Sequence, residues 1–242
     1  KAEVITGSSP FYAESGGQLG DTGELDWQDG TAIVQDTKKY ENLIVHIVKI
    51  TKGILKNNDH VNLCIDAERR NALRVHHSAT HLLHEALRRN LGDHITQKGS
   101  LVSPDKLRFD ISHNKAISSS DINLIEDEIN DKIRENFNIE TTEMDIESAR
   151  SLGALALFGE KYGDQVRVVK MGSHSKKYYS VELCGGTHVN RSGDIGVFKI
   201  LSESALGSGI RRIEAVAGQA ALTEYQEENK IINELAADLK TS

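Results

Sequence analysis

Four histidines crowd one stretch of ten residues, Val75-His76-His77-Ser78-Ala79-Thr80-His81-Leu82-Leu83-His84. At about 100° per residue on a helix, His77, His81 and His84 share a stripe while His76 points elsewhere. His77 and His84 would lie about 10 Å apart along the axis, too far to share one ion. The spacing therefore offers a metal either His77 with His81 or His81 with His84. A second set of ligating types stands far downstream in Glu182-Leu183-Cys184-Gly185-Gly186-Thr187-His188. A Cys and a His separated by a Gly-Gly turn can both face one point, and with two helical histidines they make a three-His, one-Cys set suited to Zn²⁺. Each half is weak alone: an HxxxH is more often a pair of surface histidines, and Cys184 could equally be a nucleophile or an inert buried thiol. The stretch from His77 to His81 lacks the Glu that a metalloprotease carries after its first His, which argues against peptide hydrolysis.

The elements that must position these residues are legible from periodicity. From Lys1 to about Asp66 the pattern has period two: Ala32-Ile33-Val34, then Leu43-Val45-Ile47, then Val61-Leu63-Ile65 on one face, with Gly and Asn-Asn-Asp turns between. At Asp66, a plausible N-cap, the period becomes helical, and Leu73, Leu83, Leu87 and Leu91 line one face up to Gly92. A second helix is expected from about Asp121 to Phe137, with Ile122, Ile125, Ile129 and Ile133 on its apolar face. Short strands follow over 139–144, 166–171, 178–183, 196–201 and 210–216. A final helix from Gln219 to about Lys240 carries Leu222, Tyr225, Ile232, Leu235 and Leu239 on a narrow stripe. It either packs back on its own domain or begins something longer. The reading is an α+β chain: a β-rich subdomain over 1–66, an α+β domain over 67–217 and the start of an amphipathic helix over 218–242.

Composition bounds the function. The 242 residues are 38% hydrophobic and 27% charged, the balance of a globular domain. No apolar run approaches the roughly 20 residues that span a bilayer, and the N-terminus reads as a strand rather than a signal peptide. Two cysteines, Cys64 and Cys184, cannot build a disulfide framework, so a reducing compartment is expected. Lys rather than Met opens the chain and the last helix carries no stop signal, which points to a stretch excised from a longer protein. The net charge of −7 argues by itself against a nucleic-acid partner, but ten acidic and only four basic residues lie between Lys115 and Arg150, and the remainder is close to neutral.

The ordered motifs His77-Ser78-Ala79-Thr80-His81-Leu82-Leu83, Gln97-Lys98-Gly99-Ser100-Leu101-Val102, Leu107-Arg108-Phe109-Asp110, Ala156 to Asp164 and Cys184-Gly185-Gly186-Thr187-His188-Val189 resemble the editing domain of bacterial alanyl-tRNA synthetases. The glycine-rich stretch Pro10 to Asp21 resembles the same family, so the likeness spans the chain. Freestanding editing proteins share the two metal half-motifs, the threonyl enzyme's editing domain shares them more distantly, and no segment resembles an aminoacylation core. The resemblance implies a cytoplasmic hydrolase that deacylates Ser-tRNA and Gly-tRNA bearing the alanine anticodon, with a β-barrel-like part before the α+β editing part. It implies Zn²⁺ on His77, His81, Cys184 and His188, leaving His84 outside. It also implies Thr80 and Gln97 as pocket residues beside Cys184, the rest of the synthetase chain as a partner, and oligomerisation through regions past Ser242.

Without the resemblance, Thr80 reads as a helix hydroxyl bonding its own backbone and Gln97 as a solvated loop amide. Gly16-Gly17-Gln18 matches the tripeptide peptide-release factors use on another tRNA ester, but a glycine pair before Asp21-Thr22-Gly23 is more simply a turn. For phosphate contact the candidates are Arg69, Arg70, Arg74, Arg88, Arg89, Lys176, Lys177, Arg211 and Arg212. A non-catalytic zinc-stabilised RNA-binding module and a freestanding editing protein are the alternatives. Because a thiolate ligand must be deprotonated, chelation or acidification should loosen the site. Cys184→Ala should lower the zinc content measured on purified protein; an unchanged content would remove Cys184 from the ligand set.

Overall fold

The alternating N-terminal segment pairs with itself into an antiparallel sheet. In the computed structural model, which describes residues 1–155, 163–174 and 177–239, β1 (Ala2–Val4), β2 (Gly23–Trp27), β3 (Gly30–Tyr40), β4 (Leu43–Lys52) and β5 (Asn62–Ile65) lie in the order β1-β4-β3-β2-β5. Strands β1 and β5 are its edges, and no ladder joins them among the described residues. Where a barrel-like part was expected, the described residues form an open antiparallel sheet, whose edge residues Ala2, Val4, Leu63 and Ile65 pack against a core of Phe11, Leu25, Trp27, Val34 and Val48. In β4 the expected face holds only in part: Val45 is buried, but Leu43 is half exposed, and His46 and Val48 on the other face are buried as well. The cause is a bulge in β3 between Val34, opposite Val48, and Asp36, opposite Ile47, after which buried Thr37 faces His46.

The glycine-rich stretch leaves this sheet and joins another. Gln18 bridges Val102 in parallel, Val102 N–H donates to the Gly17 carbonyl at 2.7 Å, and Leu19 N–H donates to the Val102 carbonyl at 3.1 Å. Gly17 has φ +83°, and a Cβ there would meet the Ser100 carbonyl oxygen at 2.7 Å, so only glycine fits. Behind it the Asp21 carboxylate accepts from Tyr12 N–H at 2.6 Å and from Arg70 Nε at 2.9 Å, and Arg70 Nη2 donates to the Pro10 carbonyl at 3.0 Å. Both members of this ion pair are buried.

The period change at Asp66 is a helix start. Asp66 accepts Arg69 N–H at 3.0 Å, and α1 (Ala67–Leu91) runs to Gly92, whose φ is +116°. Its Ala79, Leu82, Leu83, Ala86 and Leu87 are buried with Phe109, Ile111, Phe198, Ile213 and Ala215 in the main core. Residues 97–112, for which the expected elements include no strand, form β6 (Gln97–Val102) and β7 (Leu107–Ser112). With β11 (Phe198–Gly207) and β12 (Ile210–Ala217) they make an antiparallel sheet ordered β11-β12-β7-β6. Helix α2 (Ser119–Arg134), capped by Ser118, buries Ile125, Ile129 and Ile133 against this core. At roughly 1.5–3 kcal/mol per buried side chain, that packing outweighs propensity differences of a few tenths. The helix ends before Phe137 because Asn136 turns left-handed at φ +50°. A third sheet, β10-β9-β8, is built from β8 (Ile139–Asp145), β9 (Gln165–His174) and β10 (Lys177–Leu183), with the short α3 (Ile146–Ser151) between β8 and β9. The motif Ala156 to Asp164 falls largely outside the described residues.

Helix α4 (Gln219–Asp238) buries only Ala221 among its residues. Lys199 packs over the Tyr225 ring at 4.2 Å and pairs with Glu228, while Ile232, Leu235 and Leu239 stay exposed. The expected stripe therefore packs back only along its first half. No described helix is long and apolar enough to cross a membrane.

Two stability measurements follow. Arg70→Met leaves the Asp21 carboxylate buried without its charge partner; breaking such a pair costs about 3–5 kcal/mol, read as a lower urea midpoint. A loss below about 1 kcal/mol would show the pair to be dispensable. Burial holds the His46 pKa below its ordinary value, partly opposed by the bond from the ring to the Val4 carbonyl. The unfolded chain takes up this proton as pH falls through about 6.5 and the folded chain only lower, so the contribution is complete above about 6.5 and declines below it. His46→Gln should flatten the fall of stability from pH 6.5 to 5; an unchanged slope refutes the assignment.

Candidate metal centre

One helix and one turn supply the donor atoms. His77 and His81 project from α1, Cys184 follows the last residue of β10, and His188 stands four residues on. One ligand atom from each lies within 4.8 Å of all the others. The Cys184 Sγ is 3.4 Å from His77 Nε2 and accepts the Gly186 N–H at 3.3 Å. The turn is fixed from β9, where Arg167 donates to the carbonyls of Cys184 at 2.8 Å and Gly186 at 2.6 Å. Glycine is required at 186, because a Cβ would meet the His77 ring at 2.0 Å.

Each ring is oriented from behind. His77 Nδ1–H donates to Gln18 Oε1 at 2.7 Å, and His81 Nδ1 bonds Glu182 Oε2. His188 Nδ1 lies 3.2 Å from Ser78 Oγ, which also accepts the Val189 N–H. These contacts leave Nε2 of each ring for the cluster, and Nε2 of His81 and of His188 is sealed from solvent with no hydrogen-bond partner. Glu182, itself buried, also accepts from His84 Nδ1 at 3.0 Å and Ser180 Oγ at 3.0 Å. His84 gives its Nδ1 to Glu182, and its Nε2, also buried without a partner, is not among the four grouped ligand atoms.

The charges fit a cation. Burial opposes a thiolate at Cys184, but His77, His81 and His188 outweigh it and hold the thiol well below its usual pKa. Burial pushes His188 down to about 3, keeping it neutral and able to ligate. Burial likewise opposes charge on His81, yet Glu182 and Cys184 prevail and raise its pKa, so positive charge is favoured at this point. Orphaned imidazole nitrogens, a thiolate and rings anchored through Nδ1 are the donor chemistry of a zinc site.

Other predicted residues fare differently. Thr80 Oγ1 donates to the His76 carbonyl at 2.8 Å, so its proton is committed and it can only accept from a ligand. Gln97 lies on β6 with a buried Nε2 that has no partner. Among the phosphate candidates, Arg70 is spent on Asp21, Arg211 pairs with Glu203 and Arg212 with Asp110, while Lys176 lies outside the described residues. Sequence reasoning did not assign Gln18, Ser78, Arg167 or Glu182. For Glu182 a signal existed: it stands two residues before Cys184 on a strand, hence on the same face.

A cavity of about 370 Å³ opens beside the cluster, lined by Tyr12, Lys39, His77, Arg167, Cys184 and the Gly185-Gly186 turn. The donor set is thus reachable from outside.

Sequence comparison relates the chain to aminoacyl-tRNA synthetases. A family model described as "Threonyl and Alanyl tRNA synthetase second additional domain" matches residues 166–214, and one for class II (A) tRNA synthetases matches residues 1–69. The alanine-tRNA ligase of Paracoccus denitrificans (strain Pd 1222) is 50% identical over 99% of this chain and 28% of the relative. That of Cereibacter sphaeroides (strain ATCC 17029 / ATH 2.4.9) is 51% identical over the same shares. The alanine-tRNA ligase of Ruegeria sp. (strain TM1040) is 51% identical over 98% of the chain and 28% of the relative. The chain spans under a third of the length of these relatives, and over that span it belongs to the alanyl-tRNA synthetase family.

Proposed function

We propose that this chain is the proofreading part of an alanine-tRNA ligase, working in the cytoplasm and hydrolysing the ester of alanine tRNA mischarged with serine or glycine. In this reading residues 1–66 are a supporting β unit, 67–217 the deacylase and 218–242 a helix leading to further parts of the synthetase. The observation that carries it is a zinc-type donor cluster with a cavity at its side. Four protein donors alone would suit a closed structural site, and a zinc-stabilised RNA-binding module would need no cavity touching His77 and Cys184.

Editing is needed because an alanine pocket has only about 1–3 kcal/mol with which to reject a missing methyl or an added hydroxyl. A second site that hydrogen-bonds the seryl hydroxyl selects it strongly against alanine. Gln97 offers an unpartnered Nε2 donor for that hydroxyl, and Thr80 Oγ1 offers an acceptor. Arg167 fixes the Cys-Gly-Gly backbone against which the ester lies, and Lys39 at the cavity wall supplies positive charge for the tRNA end. Bound Zn²⁺ would act as a Lewis acid or would organise the pocket. An aminoacyl ester is already labile, so orientation and exclusion of bulk water supply much of the acceleration required.

Incubation with Ser-tRNA, Gly-tRNA and Ala-tRNA, all on the alanine acceptor, should release serine and glycine and spare alanine; equal rates or none overturn the reading. Gln97→Ala and Thr80→Val should each slow Ser-tRNA deacylation at least tenfold with zinc content unchanged. Parallel loss of zinc and activity would remove their pocket role.

A further inference from the structure

We infer that Gln18, from the glycine-rich stretch, is a positioning residue of the metal centre: it fixes the tautomer of His77 and locks the Cys-Gly-Gly-Thr-His turn against α1. The inference rests on the metal reading of the cluster given above. Gln18 is fully buried. Its Oε1 accepts His77 Nδ1–H at 2.7 Å and Thr187 N–H at 2.9 Å, with Thr187 Oγ1 at 3.2 Å. Its Nε2 donates to Thr187 Oγ1 at 3.0 Å. One amide therefore touches both halves of the donor set, which lie more than a hundred residues apart in sequence.

The direction of each bond is fixed by chemistry. An amide oxygen can only accept, so the proton of His77 sits on Nδ1 and Nε2 is left with its lone pair toward Cys184. Without that acceptor the ring could carry its proton on Nε2 and present none to a cation. Gly186 Cα packs so closely on His77 that a Cβ there would also lie 3.0 Å from Gln18 Oε1. The amide, the ring and the turn thus form one packed unit.

Gln18 is delivered by the N-terminal β unit. Gly17 and Leu19 on either side of it bond Val102 of β6, and the Asp21–Arg70 pair anchors the stretch to α1 below the histidines. The centre is therefore completed by residues 1–66 rather than contained within 67–217, and the β unit acts on His77 through this single side chain.

The test compares the full chain with Gln18→Met, which keeps the volume and removes the acceptor, and Gln18→Glu, which keeps an accepting oxygen toward His77 and replaces the Nε2 donor with a second acceptor, to which the Thr187 hydroxyl can donate. Co²⁺ is titrated as a spectroscopic probe, and folding is followed by circular dichroism. Orienting contacts of this kind are worth about 10–100-fold in metal affinity. The expected result is a 10–100-fold weaker Co²⁺ affinity and an altered visible spectrum for Gln18→Met, with both restored to within about threefold by Gln18→Glu. Wild-type affinity and spectrum in a folded Gln18→Met, or a Gln18→Glu as weak as Gln18→Met, overturns the inference. Should Gln18→Met fail to fold, long-range ¹H–¹⁵N spectra of the Zn²⁺-loaded wild-type chain decide: a His77 proton on Nδ1 supports the inference and one on Nε2 overturns it. A wild type that binds Co²⁺ tightly but leaves Ser-tRNA intact defeats the editing function and leaves this result standing.

Discussion

One thiol and three imidazoles are held together at one wall of a cavity, and the rest of the structure is arranged around the charge they favour. Cys184 and Glu182 bring negative charge to the largely buried His81, which favours a cation there, a proton on His81 or a metal ion. The rings face that point because each is bonded behind by a group from a different part of the chain: Gln18 from the glycine-rich stretch, Glu182 from β10 and Ser78 from α1 itself. The cluster therefore reports on the whole fold, since no single element can assemble it.

That arrangement explains the rigidity of the surroundings. Helix α1 carries His77 and His81 one turn apart, so a shift of its axis would move both together. It is clamped by its Leu82, Leu83 and Leu87 in the main core and by Arg70 on Asp21 at its first turns. The turn carrying Cys184 and His188 is short and glycine-rich, and Arg167 and Gln18 hold it from opposite sides. A loop with that freedom pays conformational entropy to be ordered, and the buried hydrogen bonds offset it.

The parts of this fold that were legible in the sequence are those set by short-range periodicity. Asp66 and Gly92 mark the ends of α1, and the 3.6 period placed His77 and His81 on a face apart from His76, which instead accepts the Ala217 N–H through Nε2 at 3.1 Å. In β6 the alternation is broken by Gly99 and by a register shift between Gln97 and Gly99, whereas β7, Leu107-Arg108-Phe109-Asp110-Ile111-Ser112, alternates strictly and was legible, though no strand was expected there. The inward face of β4 was assigned only in part because a bulge in its partner is invisible in β4 itself. Legible ligand types gave the donor set only with the family likeness, for spacing alone left His84 as good a partner for His81 as His77.

What no local pattern encodes is the layer behind the ligands. His84 shows why: its stripe position is right for a ligand, and the structure gives its Nδ1 to Glu182, two residues before Cys184. Four imidazoles and the Ser180 hydroxyl compete for buried acceptors, and the pairing that wins leaves Nε2 of His77, His81 and His188 turned to the Cys184 sulfur while His84 braces the carboxylate. A sequence records which donors exist; the choice among pairings is made by burial, because each acceptor enclosed without a donor costs about 1–3 kcal/mol and more when charged. The ligand set is therefore decided by the acceptors around it as much as by the ligands.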